Sequence, residues 1–173
     1  MGIKVKKKQA SKTVKLFLDF KKALEYILEH VKNTRTCTTC TIFTYGLYVG
    51  TKTEGLITTS NANICGSLLK ELTKKGIKTT IFVGDNGNPM LKQRCKEVSD
   101  AFGVTCIIYK GHHKMLYLDD GWGYFGSANF TGGGIGDFTL AGNLTEIVAS
   151  SEYEAVIAHM KRMCNLPCAK ALP

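Results

Sequence analysis

Residues 77–109 read IKTTIFVGDNGNPMLKQRCKEVSDAFGVTCIIY, and their pattern predicts a strand, a helix and a second strand in close succession. The β-branched and aromatic run 77–83 is typical of a buried strand, and the Asp85–Pro89 turn follows it. Apolar residues then recur at spacings of four, three and four until Gly103, which indicates a helix and its end. The apolar run 104–109 completes a β-α-β unit.

The residues before this unit extend the same pattern toward the N-terminus. The run TIFTYGLYV, 41–49, predicts another buried strand, and an amphipathic helix over 63–75 follows it. Apolar residues at helical spacing predict a further amphipathic helix over 14–33. The resulting β-α-β-α-β order favours a parallel sheet that is covered by helices.

The pattern changes after the last of these strands. Two short apolar stretches, 115–118 and 124–125, flank Asp120-Gly121, which is a hairpin signal. A strand is predicted over 144–150, and a last helix opens with the capping box Ser151-Glu152-Tyr153-Glu154.

The length of 173 residues suits one domain with a substantial core. We therefore predict a single α/β domain over 14–168, with a mixed, mostly parallel sheet and helices on both faces. A basic arm, 1–13, precedes this domain, and a short tail, 169–173, follows it.

The positive charge of the chain is concentrated at its N-terminus. The formal net charge is +9, and the first fifteen residues contain six lysines and no acidic residue. Lys4, Lys6, Lys7 and Lys8 are candidate contacts to a polyanion such as nucleic acid or anionic lipid. A solubilising terminus without a binding role is the alternative.

Two cysteine pairs, Cys37/Cys40 and Cys164/Cys168, raise the question of a structural zinc ion. The separation between the pairs is long and neither has a zinc-ribbon context, so ordinary buried thiols are the default and no metal or cofactor is predicted. No apolar run approaches the ~18 residues of a membrane span, and the N-terminus lacks the apolar core of a secretory signal. These features lead us to expect a cytoplasmic protein with reduced thiols.

Residues 111–131 read GHHKMLYLDDGWGYFGSANFT and combine several chemically active side chains. If the first part is extended, His112 and Lys114 project to one face, because alternate residues of a strand share a face. The hairpin can then return Ser127 and Asn129 to the same edge, where they can donate hydrogen bonds to phosphate oxygens. A nucleophilic nitrogen beside a fixed positive charge suits attack on a phosphodiester.

These residues fill every position of the pattern HxKx4Dx6GSxN, and the chain thereby resembles the phospholipase D superfamily over about residues 40–165. The resemblance implies a phospholipase D-like fold and a phosphodiesterase that needs no metal. It implies that His112 is the nucleophile, which forms a covalent phosphohistidine, and that Lys114 and Asn129 bind the phosphate.

The resemblance also assigns roles to the neighbouring residues. Ser127 is the signature serine beside the phosphate, and Asp119 and Gly126 are structural members of the motif. The segment Asn143-x-x-Glu146 is similar to a segment of the family whose acid holds the nucleophilic histidine in the correct tautomer.

The motif occurs once, although catalysis in this family needs two histidines. His113 is expected to face away from His112, and His30 and His159 fall in predicted helices without a matching context. We therefore predict a homodimer that places His112 of each subunit at one shared site on the two-fold axis.

The small size, the single motif and the positive charge favour an endonuclease that cleaves DNA or RNA with little sequence specificity. A phospholipid phosphodiesterase or phosphatidyl transferase is one alternative, since a polybasic arm also suits anionic membranes. A non-catalytic nucleic-acid-binding protein is another. The sequence does not distinguish DNA from RNA, or single from double strands, as the substrate. It also does not indicate the biological role.

Overall fold

A computed structural model describes residues 14–50, 58, 60, 62–131, 135–144, 162 and 170–171. The elements in chain order are β1 (Val14–Asp19), α1 (Phe20–Asn33), β2 (Thr39–Thr44), α2 (Ile64–Lys74), β3 (Lys78–Gly84), α3 (Leu91–Phe102), β4 (Thr105–Tyr109), β5 (Met115–Leu118), β6 (Trp122–Gly126), β7 (Ile135–Asn143) and β8 (Lys170–Ala171). The predicted β-α-β-α-β unit is present as β2 to β4, and the predicted hairpin as β5 and β6.

The strands form one eight-stranded sheet in the order β1-β7-β6-β5-β2-β3-β4-β8. The sheet is mixed, as predicted, but its pairs are not mostly parallel. Two pairs, β2–β3 and β3–β4, are parallel, and the other five pairs of this sheet are antiparallel. The reason is that a parallel pair needs a long crossover, which only the connections through α2 and α3 supply, whereas the short β5–β6 turn allows only antiparallel pairing.

The main core lies between the sheet and the three helices. Ile42, Ile81 and Leu116 occupy one register row of β2, β3 and β5, and their side chains are fully buried. Opposite them the helices contribute the buried residues Phe20, Ala23, Leu24, Ile27, Val31, Cys65, Leu68, Leu69, Leu72, Leu91, Cys95, Val98 and Phe102. Each large side chain of this kind stabilises the fold by roughly 1.5–3 kcal/mol on burial.

The opposite face of the sheet carries a smaller cluster of Phe43, Phe82, Tyr109 and Met115. No residue of α1, α2 or α3 joins this cluster, so the helices of the described residues all pack on one face. The helix predicted from Ser151 lies outside the described residues. The prediction of helices on both faces therefore stays a prediction.

The prediction of one helix over 14–33 is wrong in its first part. Residues Val14–Asp19 form β1, which pairs antiparallel with β7, and the helix begins only at Phe20. The Asp19 side chain caps the helix by accepting a hydrogen bond from the Lys21 N–H at 2.9 Å. Pairing with β7 therefore gives Val14–Asp19 a strand conformation, although the spacing of its apolar residues is also compatible with a helix.

One predicted strand has different bounds. The run 41–49 leaves the ladder after Thr44, because the Thr44 hydroxyl donates to the Gly46 carbonyl at 2.5 Å and the chain bends there.

The strand predicted over 144–150 lies outside the described residues apart from Leu144. A strand that the sequence analysis did not predict, β7, comes before it, starts within the glycine-rich sequence 132–136 and pairs with strands on both sides. Pairing on both edges compensates the weak strand propensity of its glycines.

The predicted tail, 169–173, is not separate from the sheet, because β8 pairs with β4. The predicted arm, 1–13, lies outside the described residues. No helix in the described part of the chain is both long and apolar enough to cross a membrane.

The β5–β6 pair is close enough that a side chain at Gly123 would disturb it. A Cβ atom there would lie 2.0 Å from the Leu116 carbonyl oxygen. We expect Gly123→Ala to lower the free energy of unfolding by about 1–3 kcal/mol, as overpacking does, measured by urea denaturation. Gly76→Ala is the control: Gly76 has φ +72° and no atom within 4 Å of its Cβ position, so its cost is only conformational, about 1 kcal/mol. A smaller loss for Gly123→Ala than for Gly76→Ala would contradict the steric explanation.

Candidate active site

The two halves of the motif meet at the edge of the sheet where β2, β3 and β4 end. Met115 pairs with Phe125 in the β5–β6 ladder, and the Gly126 N–H donates to the Lys114 carbonyl at 3.4 Å. The residues just before β5 and just after β6 therefore lie side by side. The hairpin returns the Gly126–Asn129 segment to the edge that holds His112, as the sequence predicts.

His112 and Lys114 lie next to each other at this edge. The Lys114 Nζ atom is 3.1 Å from His112 Nδ1, and the His112 side chain is exposed. An ammonium group can only donate, so in this arrangement Nδ1 accepts and a neutral ring carries its proton on Nε2. The predicted histidine and lysine pair is therefore formed within one chain.

His113 faces away from this pair. Its backbone N–H donates to the Tyr109 hydroxyl at 3.2 Å, and its Nδ1 lies 3.2 Å from the same oxygen. Burial raises the pKa of Tyr109, so the hydroxyl keeps its proton at neutral pH and can donate it to Nδ1 when that nitrogen is unprotonated. Tyr109 thus holds both the backbone and the ring of His113 on the face of the sheet opposite α1, α2 and α3.

Asn129 is oriented by the backbone at the end of β2. Its Oδ1 accepts from the Tyr45 N–H at 3.2 Å and from the Gly46 N–H at 3.1 Å. Two N–H donors identify this atom as the oxygen, so the NH₂ group of the amide points elsewhere and makes no hydrogen bond within the described residues. The amide is held with its donor end available for a ligand.

The segment around Asn129 is tied to β2 by a second set of hydrogen bonds. The Thr44 hydroxyl, fully buried, accepts from the Phe130 N–H at 2.8 Å, and the Tyr48 N–H donates to the Phe130 carbonyl at 3.0 Å. The end of β2 and the end of the motif therefore form one unit. Gly126 ends β6, and Ser127 is exposed directly after it.

Asp119 lies at the other end of β5, away from His112. Its carboxylate accepts from the backbone N–H of Thr38 at 2.8 Å and from the Thr38 hydroxyl. Burial acts to raise the pKa of Asp119, but the hydrogen bonds from Thr38 and its neighbours outweigh it and hold the pKa well below its usual range. Asp119 connects the hairpin to the start of β2 and does not touch the candidate site.

His30 lies at the same end as Asp119. Its Nε2 is 2.8 Å from a carboxylate oxygen of Asp120, which also accepts from the Thr34 hydroxyl at 2.7 Å. The His30 ring stacks on Trp122 with a centroid distance of 4.1 Å. His30 is therefore a packing residue that attaches α1 to the hairpin, as its sequence context predicts.

Several predicted site residues lie outside the described residues. They are Glu146 and the lysines Lys4, Lys6, Lys7 and Lys8, and His159, for which no site role is predicted, lies outside them as well. β7 pairs Asn143 with Trp122, at the end of the sheet opposite His112. A contact between Glu146 and His112 therefore requires the chain to turn back after Leu144, and the role of Glu146 stays a prediction.

The described cysteines are buried or half-buried thiols. Burial, with Asp119 as hydrogen-bond partner and Asp120 nearby, raises the pKa of Cys37 to about 12, and burial raises the pKa of Cys40. Both thiols are then protonated at neutral pH. No group of three or more metal-ligating side chains that could hold a metal occurs in the described part of the chain, and Cys164 and Cys168 lie outside it.

The sequence interpretation missed Tyr45. Its ring lies against that of His112, with the two centroids 4.1 Å apart. Tyr45 is far from the motif in sequence, and no spacing rule within the motif points to it. An aromatic residue at the carboxyl end of a central parallel strand is the only signal that could have singled it out.

No protein-family model matches the chain, and neither does any curated protein. Among solved structures, the phospholipase D family member Nuc from Salmonella typhimurium is similar, with a TM-score of 0.61, 14% identity, and coverage of 92% of this chain and 97% of that one. NucT from Helicobacter pylori gives a TM-score of 0.62, 18% identity, and coverage of 92% and 98%. A polyphosphate kinase from Porphyromonas gingivalis matches over 26% of its length, with a TM-score of 0.55, 14% identity and 90% of this chain covered. At these identities the similarity shows the fold, which this chain shares with a phospholipase D family member over nearly its whole length.

The Asp119–Thr38 contact predicts a pH-dependent contribution to stability. We expect Asp119→Asn to lower the free energy of unfolding by about 1 kcal/mol at neutral pH, because the amide has one accepting oxygen where the carboxylate has two, and its hydrogen bond to Thr38 lacks the negative charge. The folded-state pKa of Asp119 lies below its unfolded value of about 4, so this contribution is present above that value and is lost as the pH falls through it toward the folded pKa.

Urea unfolding of both proteins between pH 7 and pH 3 measures this contribution, and the difference between them should shrink on acidification. Asp100→Asn is the matched control, since Asp100 forms only an exposed ion pair with Lys96 and should change stability by less than about 0.5 kcal/mol. A difference for Asp119→Asn that is independent of pH would refute the explanation.

Proposed function

We propose that this chain is a metal-independent phosphodiesterase that cleaves nucleic acid through a covalent phosphohistidine on His112. The observation that carries the proposal is the meeting of His112, Lys114 and the NH₂ end of Asn129 at one exposed edge. A nucleophile, a cation and an oriented amide donor are the groups that attack at phosphorus requires. The fold shared with the phospholipase D family member Nuc supports the same reaction class.

The reaction consists of two displacements at phosphorus. A ring nitrogen of His112 donates its lone pair to phosphorus, the bond to the 3′ oxygen breaks, and a second histidine gives that oxygen a proton. A water molecule then loses a proton to the second histidine and attacks phosphorus. The phosphorus–nitrogen bond breaks, which restores His112 and leaves a 5′-phosphate.

Lys114 has a different partner before and during this reaction. In the free protein its ammonium group faces His112 Nδ1. Attack through Nε2 requires that Nε2 has a lone pair, and so the proton must reside on Nδ1 while Lys114 moves onto a phosphate oxygen. The anionic substrate supplies the attraction for that move, and Lys114 with Asn129 then neutralises the charge that a metal would otherwise neutralise.

The second histidine comes from a second copy of the chain. His113 is held on the other side by Tyr109, and His30 is paired with Asp120 at the far end of the hairpin. The described residues therefore offer no other histidine beside His112. A two-fold axis next to the exposed His112 brings two copies of the same side chain together without any further residue.

Nucleic acid is the phosphodiester that the charge of the chain favours. The net charge of +9 attracts a polyanion. The lysine arm adds sequence-independent contacts to backbone phosphates in this proposal. Cleavage is therefore expected at many sequences, since phosphate contacts carry no base information.

The first test measures cleavage of labelled single-stranded and double-stranded DNA and RNA in excess EDTA. We expect the wild type to cleave at least one of them, and His112→Ala to be inactive. Asn129→Asp is the sharper variant, because a carboxylate still accepts from Tyr45 and Gly46 but brings no N–H donor to the phosphate. It should keep the melting temperature of the wild type and lose about 10²–10³ in kcat.

Two outcomes would count against this function. Equal cleavage by the wild type and His112→Ala would exclude His112 as the nucleophile. Failure of a folded, dimeric wild type to cleave any nucleic acid, together with hydrolysis of phosphatidylcholine vesicles, would favour the lipid alternative.

The shared site predicts how activity depends on subunit mixing. If each site needs His112 from both subunits, an equal mixture of wild-type and His112→Ala chains, exchanged to random dimers, has about one quarter of the wild-type activity. Independent sites would leave about one half. The measurement is the cleavage rate after co-refolding, with the wild type mixed with Asp100→Asn as the control for losses during refolding.

A further inference from the structure

We propose that Tyr45 is a positioning residue for His112, whose ring keeps the imidazole oriented for attack. The inference rests on the proposed function of His112 as a nucleophile. The two ring centroids are 4.1 Å apart and the ring planes meet at 48°, so the phenol ring contacts the imidazole directly. Tyr45 belongs to no part of the HxKx4Dx6GSxN pattern.

Tyr45 is itself fixed by contacts to three other segments. Its N–H donates to Asn129 at 3.2 Å, and its carbonyl accepts from the Asn86 side chain at 3.4 Å. Its ring lies over Gly84, where a Cβ atom would be 2.5 Å from ring carbon Cδ2 and 2.4 Å from the Gly111 carbonyl oxygen. Because Gly84 has no side chain, the Tyr45 ring and the carbonyl group of Gly111, the residue before His112, can both pack closely against it.

The contact with Tyr45 matters because Lys114, the hydrogen-bond partner of His112 within the described residues, leaves during the reaction. Glu146 is predicted to set the tautomer of the His112 ring, and Tyr45 supplies a packing contact beside it. The ring of His112 is exposed, and within the described residues its hydrogen bond is to Lys114. When Lys114 moves to the phosphate, that hydrogen bond is lost, and the contact with the Tyr45 ring remains. A nucleophile that can rotate freely loses much of the advantage of being held near phosphorus.

This role predicts the pattern of kinetic changes in Tyr45 variants. Tyr45→Ala should reduce kcat by about 10- to 100-fold and leave KM within about twofold, because misorientation of the nucleophile affects the chemical step. Tyr45→Phe should keep most of the activity, since the ring and not the hydroxyl contacts His112. Loss of activity in Tyr45→Phe as large as in Tyr45→Ala would overturn the proposal.

Tyr26→Ala is the matched control for general destabilisation. Tyr26 is also a half-buried tyrosine, and it packs on Phe17 and Trp122 with centroid distances of 5.6 and 5.7 Å, near the end of the sheet away from His112. Its truncation should lower the melting temperature without changing kcat at a temperature where the protein is folded. If Tyr45→Ala is unfolded, Tyr45→Leu replaces it, since leucine fills part of the volume without an aromatic ring.

An abasic oligonucleotide distinguishes positioning from base stacking. An aromatic side chain beside a phosphodiesterase site can also stack on a nucleobase. In that case Tyr45→Ala would raise KM for a normal oligonucleotide and leave cleavage of an abasic one unchanged. Positioning requires the same loss of kcat for both substrates, so an effect confined to the normal oligonucleotide would refute it.

A spectroscopic measurement tests the contact without any cleavage. The Tyr45 ring current should shift the imidazole proton resonances of His112, which are assigned in NMR spectra by their absence from His112→Ala. Tyr45→Ala should move these resonances toward free-histidine positions, and Tyr45→Phe should preserve them. Unmoved resonances in a folded Tyr45→Ala protein would overturn the proposal, whereas moved resonances in a protein that cleaves nothing would leave the contact standing and refute the proposed function.

Discussion

Two hydrogen bonds join the parallel and the antiparallel parts of the sheet. They run from the backbone N–H groups of Tyr45 and Gly46 to Asn129 Oδ1. One part is the parallel unit β2–β4 with its connecting helices α2 and α3, and the other is the antiparallel hairpin β5–β6 with β7 and β1. The candidate site lies where these parts meet. Because the amide oxygen is used for this junction, the amide nitrogen does not take part in it, and in the proposed reaction this nitrogen binds the phosphate.

The hairpin is also fixed at its other end, and this explains why its motif contains an acid that lies far from the reaction. Asp119 accepts from Thr38, and Asp120 accepts from Thr34 beside His30. The ladders of β5 with β2 and of β6 with β7 hold the hairpin along its length, and the contacts of Asp119 and Asp120 add an attachment at its turn. The β5–β6 ladder sets the register that places Gly126 against Lys114.

Much of this fold is predictable from the sequence because it depends on local spacing. Two helices end where the pattern predicts, just before Gly76 and Gly103. The hairpin also turns at Gly121 as predicted. The incorrect predictions concern segments whose conformation depends on pairing with distant parts of the chain. Val14–Asp19, for example, forms a strand because it pairs with β7. The predominance of antiparallel pairs has the same origin, since only the assembled sheet shows which strands are neighbours.

The candidate site shows the same division between local and distant information. A signature based on spacing contains His112, Lys114 and Asn129 because a single hairpin holds them, and the ladder converts their spacing into proximity. Tyr45 and Gly84 come from other strands, and their relation to His112 exists only after the parallel unit has assembled. A spacing pattern therefore identifies the groups that we propose to react, whereas Tyr45 and Gly84, which pack beside them, come from the ends of neighbouring strands and are found only in the three-dimensional structure.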